Sequence, residues 1–200
     1  MSAETIFRIL FGLLLLSMIV PRHLYEQRMR VTAAQGLERD DDTRQILARQ
    51  GLPILISQWV ALVYLTKPEW VLWASIPFPR WLRWLGAGLA LLGTVLLIWT
   101  HRALDRNFFG GLKIRQGHEL VTWGPYRWLQ HPMYVAFFVL GLGYLFLSAN
   151  LLIGLPWLLG IVLITAYRLR REEAMLEEQF GDPYRAYRST TGQFLPRIRR

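Results

Sequence analysis

The sequence predicts an all-α, polytopic integral membrane protein with about five transmembrane helices. The 200 residues are 53% hydrophobic and include nine Trp, which is too apolar for an ordinary soluble domain. Apolar runs alternate with connections rich in Arg, the pattern expected where positive charge sets the orientation of membrane helices. The formal charge of +9 is therefore assigned to the membrane flanks, and no nucleic-acid partner is expected.

The five predicted spans have different justifications. The first has no small-x-small cleavage site after it, so it is predicted to be a retained span and not a signal peptide. The third contains the glycines of "GAGLALLG", which favour close helix packing. Several spans are shorter than the roughly 20 residues that a perpendicular crossing needs, so interfacial Trp and Arg must complete them. In chain order the spans are Ile6–Val20, Leu52–Leu65, Trp84–Thr100, Met133–Ala149 and Leu151–Tyr167.

The last two spans are separated by little more than Asn150, which predicts a tight antiparallel helical hairpin. Its free ends, at His131 and Arg168, should then emerge side by side. Pro156 should kink the fifth span. After Tyr167 the helical spacing continues to about Phe180, where Gly181 and Pro183 predict its end.

The distribution of Lys and Arg predicts the orientation. The connections 22–50, 101–130 and 168–200 hold six, five and eight of these residues, against three in 66–83. Alternating spans place the three rich connections on one side of the membrane. The N-terminus is then expected outside and the C-terminus in the cytoplasm, on the same side as the segment "WGPYRWLQHPMY".

Two separated polar segments are predicted to meet on that side. The first carries His131, held extended by the following proline, and the second carries Arg168 and Glu172, four residues apart on one helix face. Glu173, Glu177 and Glu178 are expected on the other faces. An aromatic belt and simple ion pairs would explain each residue singly. Their convergence at a membrane surface favours a functional site.

A metal site is not predicted. The chain has no Cys, and His101, His118 and His131 lack the spacings that zinc sites use.

The segment "HELVTWGPYRWLQHPMY", followed by a hairpin and "RLRREEAMLEEQFGDPYRAYRSTTGQFLP", resembles the isoprenylcysteine carboxyl methyltransferase family and its bacterial and archaeal relatives. The resemblance covers Lys113–Pro196 and implies a membrane-embedded enzyme that uses S-adenosylmethionine. It implies an N-terminal region of three spans, residues 1–100, and a catalytic region, residues 101–200, with the hairpin and a cytoplasmic arm. It also implies catalytic roles for Arg168 and Glu172.

The same resemblance implies a cytoplasmic cofactor pocket and an acceptor contact. Arg168 would face the acceptor, and Glu172 would hold the amino or ribose end of the cofactor. The family usually has Arg before His-Pro, where this chain has Gln130, so one positive charge is missing there. The implied cofactor-binding residues are Lys113, His118, Glu119, Leu120, Val121, Tyr126, His131, Pro132, Met133, Tyr134 and Glu172.

The predicted activity is transfer of a methyl group to a carboxyl oxygen of a prenylated or lipid-like acceptor. A carboxylate is already ionised at neutral pH and needs no general base. The alternatives are N-methylation of an amino phospholipid, for which His131 or a glutamate would act as base, an NADPH-dependent membrane reductase, and a non-catalytic scaffold. If the chain is bacterial, the inner (cytoplasmic) membrane is expected, with the active site on the cytoplasmic side.

Overall fold

The computed structural model describes residues 2–33, 51–104 and 119–197, and the described chain is helical. Each of the five predicted spans coincides with one of the first five helices, the fourth extending one residue beyond its helix to Ala149, so the predicted all-α membrane fold is confirmed. The helices are α1 (Ala3–Ala33), α2 (Leu52–Thr66), α3 (Arg80–Leu104), α4 (Pro132–Ser148), α5 (Leu151–Phe180) and α6 (Asp182–Thr190).

The helices differ in their ability to cross a bilayer unaided. In α1, α3 and α5 the stretches Ala3–Tyr25, Arg80–Leu104 and Leu151–Phe180 are long and apolar enough to span it. The helices α2 and α4 are apolar but shorter, so the residues at their ends must complete the crossing. The first helix also runs through Pro21 to Ala33, beyond the predicted end of the first span.

Small residues let α3 and α4 pack with their backbones close together. A Cβ on Gly143 of α4 would lie 2.5 Å from the backbone nitrogen of Ala90 in α3. A Cβ on Gly93 of α3 would lie 2.8 Å from the side chain of Leu140 in α4. This is the packing that "GAGLALLG" predicted for Gly86 and Gly93, whereas Gly88 has open space around it. Packing of this kind holds helices together where lipid removes the hydrophobic drive for association.

Aromatic residues fill the centre of the bundle and draw on both halves of the chain. Phe11 of α1 packs edge-on against Tyr64 and Tyr144, and Tyr144 packs in turn against Trp157 of α5. The buried core therefore crosses residue 100. The predicted division into regions 1–100 and 101–200 stays a prediction.

A polar clamp ties the helices at the end where α1 and α3 begin. Arg83 pairs with Glu4, and its Nε donates to the carbonyl of Leu147 at 3.0 Å. Its guanidinium also lies 4.1 Å from the ring centre of Phe7. Leu147 is in the last turn of α4, where carbonyls lack helical partners. The clamp thus satisfies a buried charge and a free carbonyl together.

The hairpin turn has the predicted form. Ala149 adopts a left-handed conformation with φ of 50°, and the side chain of Asn150 accepts from the backbone of Leu152 at 3.0 Å, capping α5. The same amide donates to the carbonyl of Val71 at 2.8 Å. The turn therefore directs α5 back along α4 to the end where α3 finishes and α4 begins.

Candidate active site

The segment before α4 forms a compact turn against the end of α3. A short 3-10 helix spans Gly124–Arg127, and Gly124 has φ of +63°, where an added Cβ would lie only 3.1 Å from that of Ala103. Glycine fits this left-handed position without strain. Trp128 packs edge-on against Trp99, with ring centres 5.6 Å apart, and is about half exposed. Trp128 thus retains the interfacial position that an anchor requires.

His131 is placed at the start of α4 and points towards α5. It occupies the N-cap position, followed by the fully buried Pro132. Its imidazole is 7% exposed and lies between two carboxylates, with Nδ1 3.9 Å from Oε2 of Glu172 and Nε2 3.5 Å from Oε1 of Glu173. The predicted meeting of the two polar segments is therefore present in the structure.

Glu172 joins both segments. Its Oε1 lies 3.1 Å from Nη2 of Arg168, as the four-residue spacing predicted. Tyr134, in the first turn of α4, lies close enough to the Glu172 carboxylate for the two groups to interact. The carboxylate thus faces a cation, an imidazole and a phenol at the ends of two helices.

Glu173 also faces the site, so the expectation that it lies on another face of the helix is wrong. It is buried, and its carboxylate accepts from Nε2 of Gln193 at 2.8 Å and pairs with Nη2 of Arg188 at 3.2 Å. Successive helical residues are separated by about 100°, so Glu172 and Glu173 flank the direction of His131. The chain beyond Phe180 returns over Glu173, which the helical pattern of α5 alone does not indicate.

This return begins at Gly181, whose φ of +53° turns the chain from α5 into α6. The hydroxyl of Tyr187 in α6 donates to the carbonyl of Tyr126 at 2.8 Å. The following segment, Thr191–Leu195, lies beside the loop before α4, and we refer to it as the C-terminal strap. Leu129 and Gly192 form a parallel bridge, and the ring of Phe194 is 6.1 Å from that of His131.

The strap is bonded to the loop by backbone and side chain. The backbone nitrogens of Gln130 and His131 donate to the carbonyls of Gly192 and Gln193 at 2.8 and 3.2 Å. The side-chain amide of Gln130 donates to the carbonyls of Thr191 and Arg188 at 2.5 and 3.2 Å. The sequence pattern does not single out Glu173, Arg188, Gln193 and Phe194 as site residues, and its only signal for them is their place in the tail motif.

Burial and charge set opposing effects on His131. Burial lowers the pKa of its imidazole, while the charges of Glu172 and Glu173 act in the raising direction without overcoming burial. The ring is therefore neutral at pH 7. Burial also raises the pKa of the Tyr126 phenol, with a further contribution from the charge of Glu172, which keeps that hydroxyl protonated. Because the charge of Glu172 acts on its phenol, Tyr126 lies close to the predicted site.

Several buried polar atoms around the site have no hydrogen-bond partner among the described residues. They include Nε2 of His131, Nε of Arg168 and Oε1 of Gln130. Buried polar atoms are rarely left unpaired, so the unpaired atoms of His131 and Arg168 on either side of Glu172 fit a site that takes a polar ligand. Donors, acceptors and aromatic faces in one place suit a nucleoside with a cationic amino-acid arm, as in S-adenosylmethionine.

The other residues predicted to bind the cofactor differ in exposure and in position. Glu119 is exposed, Leu120 is half-buried and Val121 is buried. Met133 packs against the hydrophobic core. Lys113 and His118 lie outside the described residues. The assignment of these residues to cofactor binding stays a prediction, and within the described ranges no group of three His, Asp or Glu residues is arranged to hold a metal.

Comparison with known proteins gives a family match that includes the loop before α4 and most of α5. Residues 86–178 match the family model of the isoprenylcysteine carboxyl methyltransferase (ICMT) family. The predicted resemblance to this family is confirmed. The match begins at Gly86, upstream of the predicted start at Lys113, and so includes most of α3 as well as the hairpin and Glu172.

Individual proteins with isoprenylcysteine methyltransferase names align with less than half of the chain. A protein-S-isoprenylcysteine O-methyltransferase from Schizosaccharomyces pombe is 37% identical over 86 residues, 43% of this chain and 36% of that protein. The human protein of that name is 33% identical over 82 residues, 41% of this chain and 29% of the human protein. The aligned region thus spans about a third of these relatives.

Two further comparisons cover more of the chain. A probable protein-S-isoprenylcysteine O-methyltransferase from Oryza sativa subsp. indica is 25% identical over 147 residues, 72% of this chain and 76% of that protein. The solved structure of a eukaryotic intramembrane Ras methyltransferase ICMT superposes with a TM-score of 0.53 and 22% identity, covering 84% of this chain and 56% of the other. This similarity supports the membrane fold.

Proposed function

We propose that this chain is an integral-membrane methyltransferase that uses S-adenosylmethionine to methylate a carboxyl group on a prenylated or lipid-like acceptor. The observation that carries the proposal is that Glu172 pairs with Arg168 and also lies against His131, which joins the two separated parts of the family motif. The match of residues 86–178 to the ICMT family supports the reaction class. The names of the aligned relatives support an isoprenylcysteine carboxylate as the acceptor.

The carboxylates of the site suit the cationic end of the cofactor. Glu172 is fixed by Arg168 at 3.1 Å and supplies a negative charge in a largely buried setting, where such an interaction is strong. The rings of Tyr134 and Phe194 lie 5.8 and 6.1 Å from the ring of His131, and their faces can attract a cation while excluding water. S-adenosylmethionine, when bound, supplies an electrophilic methyl group on a sulfonium.

Arg168 is suited to hold the acceptor. Its Nη2 is engaged by Glu172, while its buried Nε has no partner among the described residues and can donate to a second carboxylate. An ionised carboxylate needs no base, so the protein has only to align this nucleophile and exclude competing water. The neutral imidazole of His131 adds no positive charge that would compete for the acceptor carboxylate.

The proposal is tested with purified protein in detergent or nanodiscs, methyl-labelled S-adenosylmethionine and N-acetyl-S-farnesylcysteine. Label is expected in an organic-soluble product that releases methanol on treatment with base, as a methyl ester does. N-acetylcysteine, which has the same carboxylate without the prenyl chain, is the control and should accept no label. Label in a base-stable amine of a phospholipid would instead support N-methylation. Absence of label in N-acetyl-S-farnesylcysteine would contradict the proposal.

A further inference from the structure

Gln130 stands before His-Pro, where the resemblance to the ICMT family implies an Arg. The contacts of its side chain indicate what this position requires. Its side-chain nitrogen donates to the carbonyl of Thr191 at 2.5 Å and to that of Arg188 at 3.2 Å. Both carbonyls belong to the end of α6, where helical carbonyls have no partner within the helix. Gln130 therefore acts as a C-terminal cap for α6, supplied from a distant part of the chain.

The same residue anchors the strap by its backbone. The amide of Gln130 donates to the carbonyl of Gly192 at 2.8 Å, and that of His131 to the carbonyl of Gln193 at 3.2 Å. Gln193 continues the connection by donating to Glu173 at 2.8 Å. One ladder of hydrogen bonds thus runs from Gln130 through the strap to a carboxylate that faces His131.

We infer that Gln130 is a positioning residue whose function is to donate hydrogen bonds to the end of α6, so that the strap holds His131 in the site. The position requires a donor and not a positive charge. A guanidinium reaches two carbonyl oxygens as readily as an amide does, which explains how Gln replaces Arg here. The effect of Gln130 on cofactor binding, through His131, rests on the proposed function. The attachment of the strap by Gln130 does not.

Three substitutions separate the donor from the charge. Gln130→Arg keeps donors and adds charge. In Gln130→Met the side chain has a similar length but no hydrogen-bond donor. In Gln130→Glu a carboxylate, which can only accept, faces the two carbonyl oxygens. Gln27→Glu is the matched control, because Gln27 lies exposed on α1 and the change of charge is the same.

The first readout is amide hydrogen exchange, by mass spectrometry, of peptides that contain Gln130 and His131, and it does not depend on any activity. Exchange is expected to be about tenfold faster in Gln130→Met and Gln130→Glu, since local opening reports the lost bonds. It is expected to be unchanged in Gln130→Arg and Gln27→Glu. Unchanged exchange in Gln130→Met, or fast exchange in Gln130→Arg, overturns the inference.

The second readout is calorimetric binding of S-adenosylhomocysteine, the demethylated cofactor. Affinity is expected to fall about tenfold in Gln130→Met and to be retained in Gln130→Arg, while the melting temperature changes by less than about 2 °C because the opening is local. Fast exchange with unaltered affinity would overturn the positioning role. If the wild-type protein binds no S-adenosylhomocysteine, the proposed function fails, while the exchange data still decide whether Gln130 holds the strap.

Discussion

Nδ1 of His131 lies 3.9 Å from Oε2 of Glu172, although one residue precedes α4 and the other lies near the end of α5. The contact exists because the turn at Ala149 and Asn150 returns α5 along α4. It places the loop before the hairpin and the helix after it in one site at the end of the bundle. Activity and stability should both respond to changes in this arrangement or in the packing that supports it.

Arg168→Lys is expected to impair transfer to the acceptor more than binding of the cofactor. Lysine keeps the positive charge beside Glu172 but loses the guanidinium geometry and the buried Nε. We expect the specificity constant for N-acetyl-S-farnesylcysteine to fall by about tenfold or more, with S-adenosylhomocysteine affinity changed less than about threefold. Arg171→Lys, on the same helix but exposed, is the control. An equal loss in both measurements would indicate a role in cofactor binding.

Stability is expected to fall on acidification because of His131. Burial lowers its folded-state pKa below the unfolded value of about 6.5. Above that value both states are neutral and the histidine contributes no pH dependence. As the pH falls from about 6.5 to the folded pKa, the unfolded chain binds more protons, so the free energy of unfolding decreases.

This pH dependence can be measured as the change in melting temperature between pH 7.5 and pH 5.5. The change should be smaller in His131→Gln than in wild type. His23→Gln, at an exposed position on α1, should behave as wild type does. A His131→Gln protein with the full wild-type acid sensitivity would show that other groups are responsible.

Gly143→Ala is expected to destabilise the bundle, because its Cβ would lie 2.5 Å from the backbone nitrogen of Ala90. A backbone cannot yield as a side chain can, so α3 and α4 must separate, at a cost of about 1–3 kcal/mol. Gly88→Ala meets nothing within 4 Å and should be neutral or slightly stabilising, since Ala is the better helix former. Thermal unfolding in detergent distinguishes them, and equal melting temperatures would refute the close packing.

Arg83→Met is expected to lower stability without affecting the site. The substitution retains length but leaves Glu4 and the carbonyl of Leu147 without this partner, at a cost of about 1–3 kcal/mol. Because the clamp lies at the opposite end of the bundle, S-adenosylhomocysteine affinity should be unchanged. Arg80→Met, at an exposed position on the same helix, should alter neither property. Weaker binding in Arg83→Met would indicate coupling between the two ends.

The helices and the main contact of the site could be predicted from the sequence because their signals are local. Apolar runs define the spans, Asn150 defines a short turn, and the spacing of Arg168 and Glu172 places both on one face. Those features together bring His131 to Glu172. The long continuation of α1 past Pro21 was not predicted, because proline and the basic residues after it resemble a helix end.

The parts that were missed depend on long-range packing. Whether Glu173 faces solvent or the site is decided by the turn at Gly181, which returns α6 and the strap over it. The contacts of Gln130 with Arg188 and Thr191 follow from the same return. Helical periodicity within α5 contains no information about that return, so the sequence pattern alone places Glu173 on the wrong face.

We propose that the loop before α4 and the end of α5 form one cofactor site, and calorimetry with S-adenosylhomocysteine tests this proposal. Glu172→Gln should weaken binding by about 10- to 100-fold, equivalent to about 1.4–2.7 kcal/mol, because it removes the negative charge proposed to hold the cationic amino end of the ligand. Glu178→Gln, exposed on the same helix, should bind as wild type does. Wild-type affinity in Glu172→Gln, or no binding by the wild-type protein itself, would contradict the account.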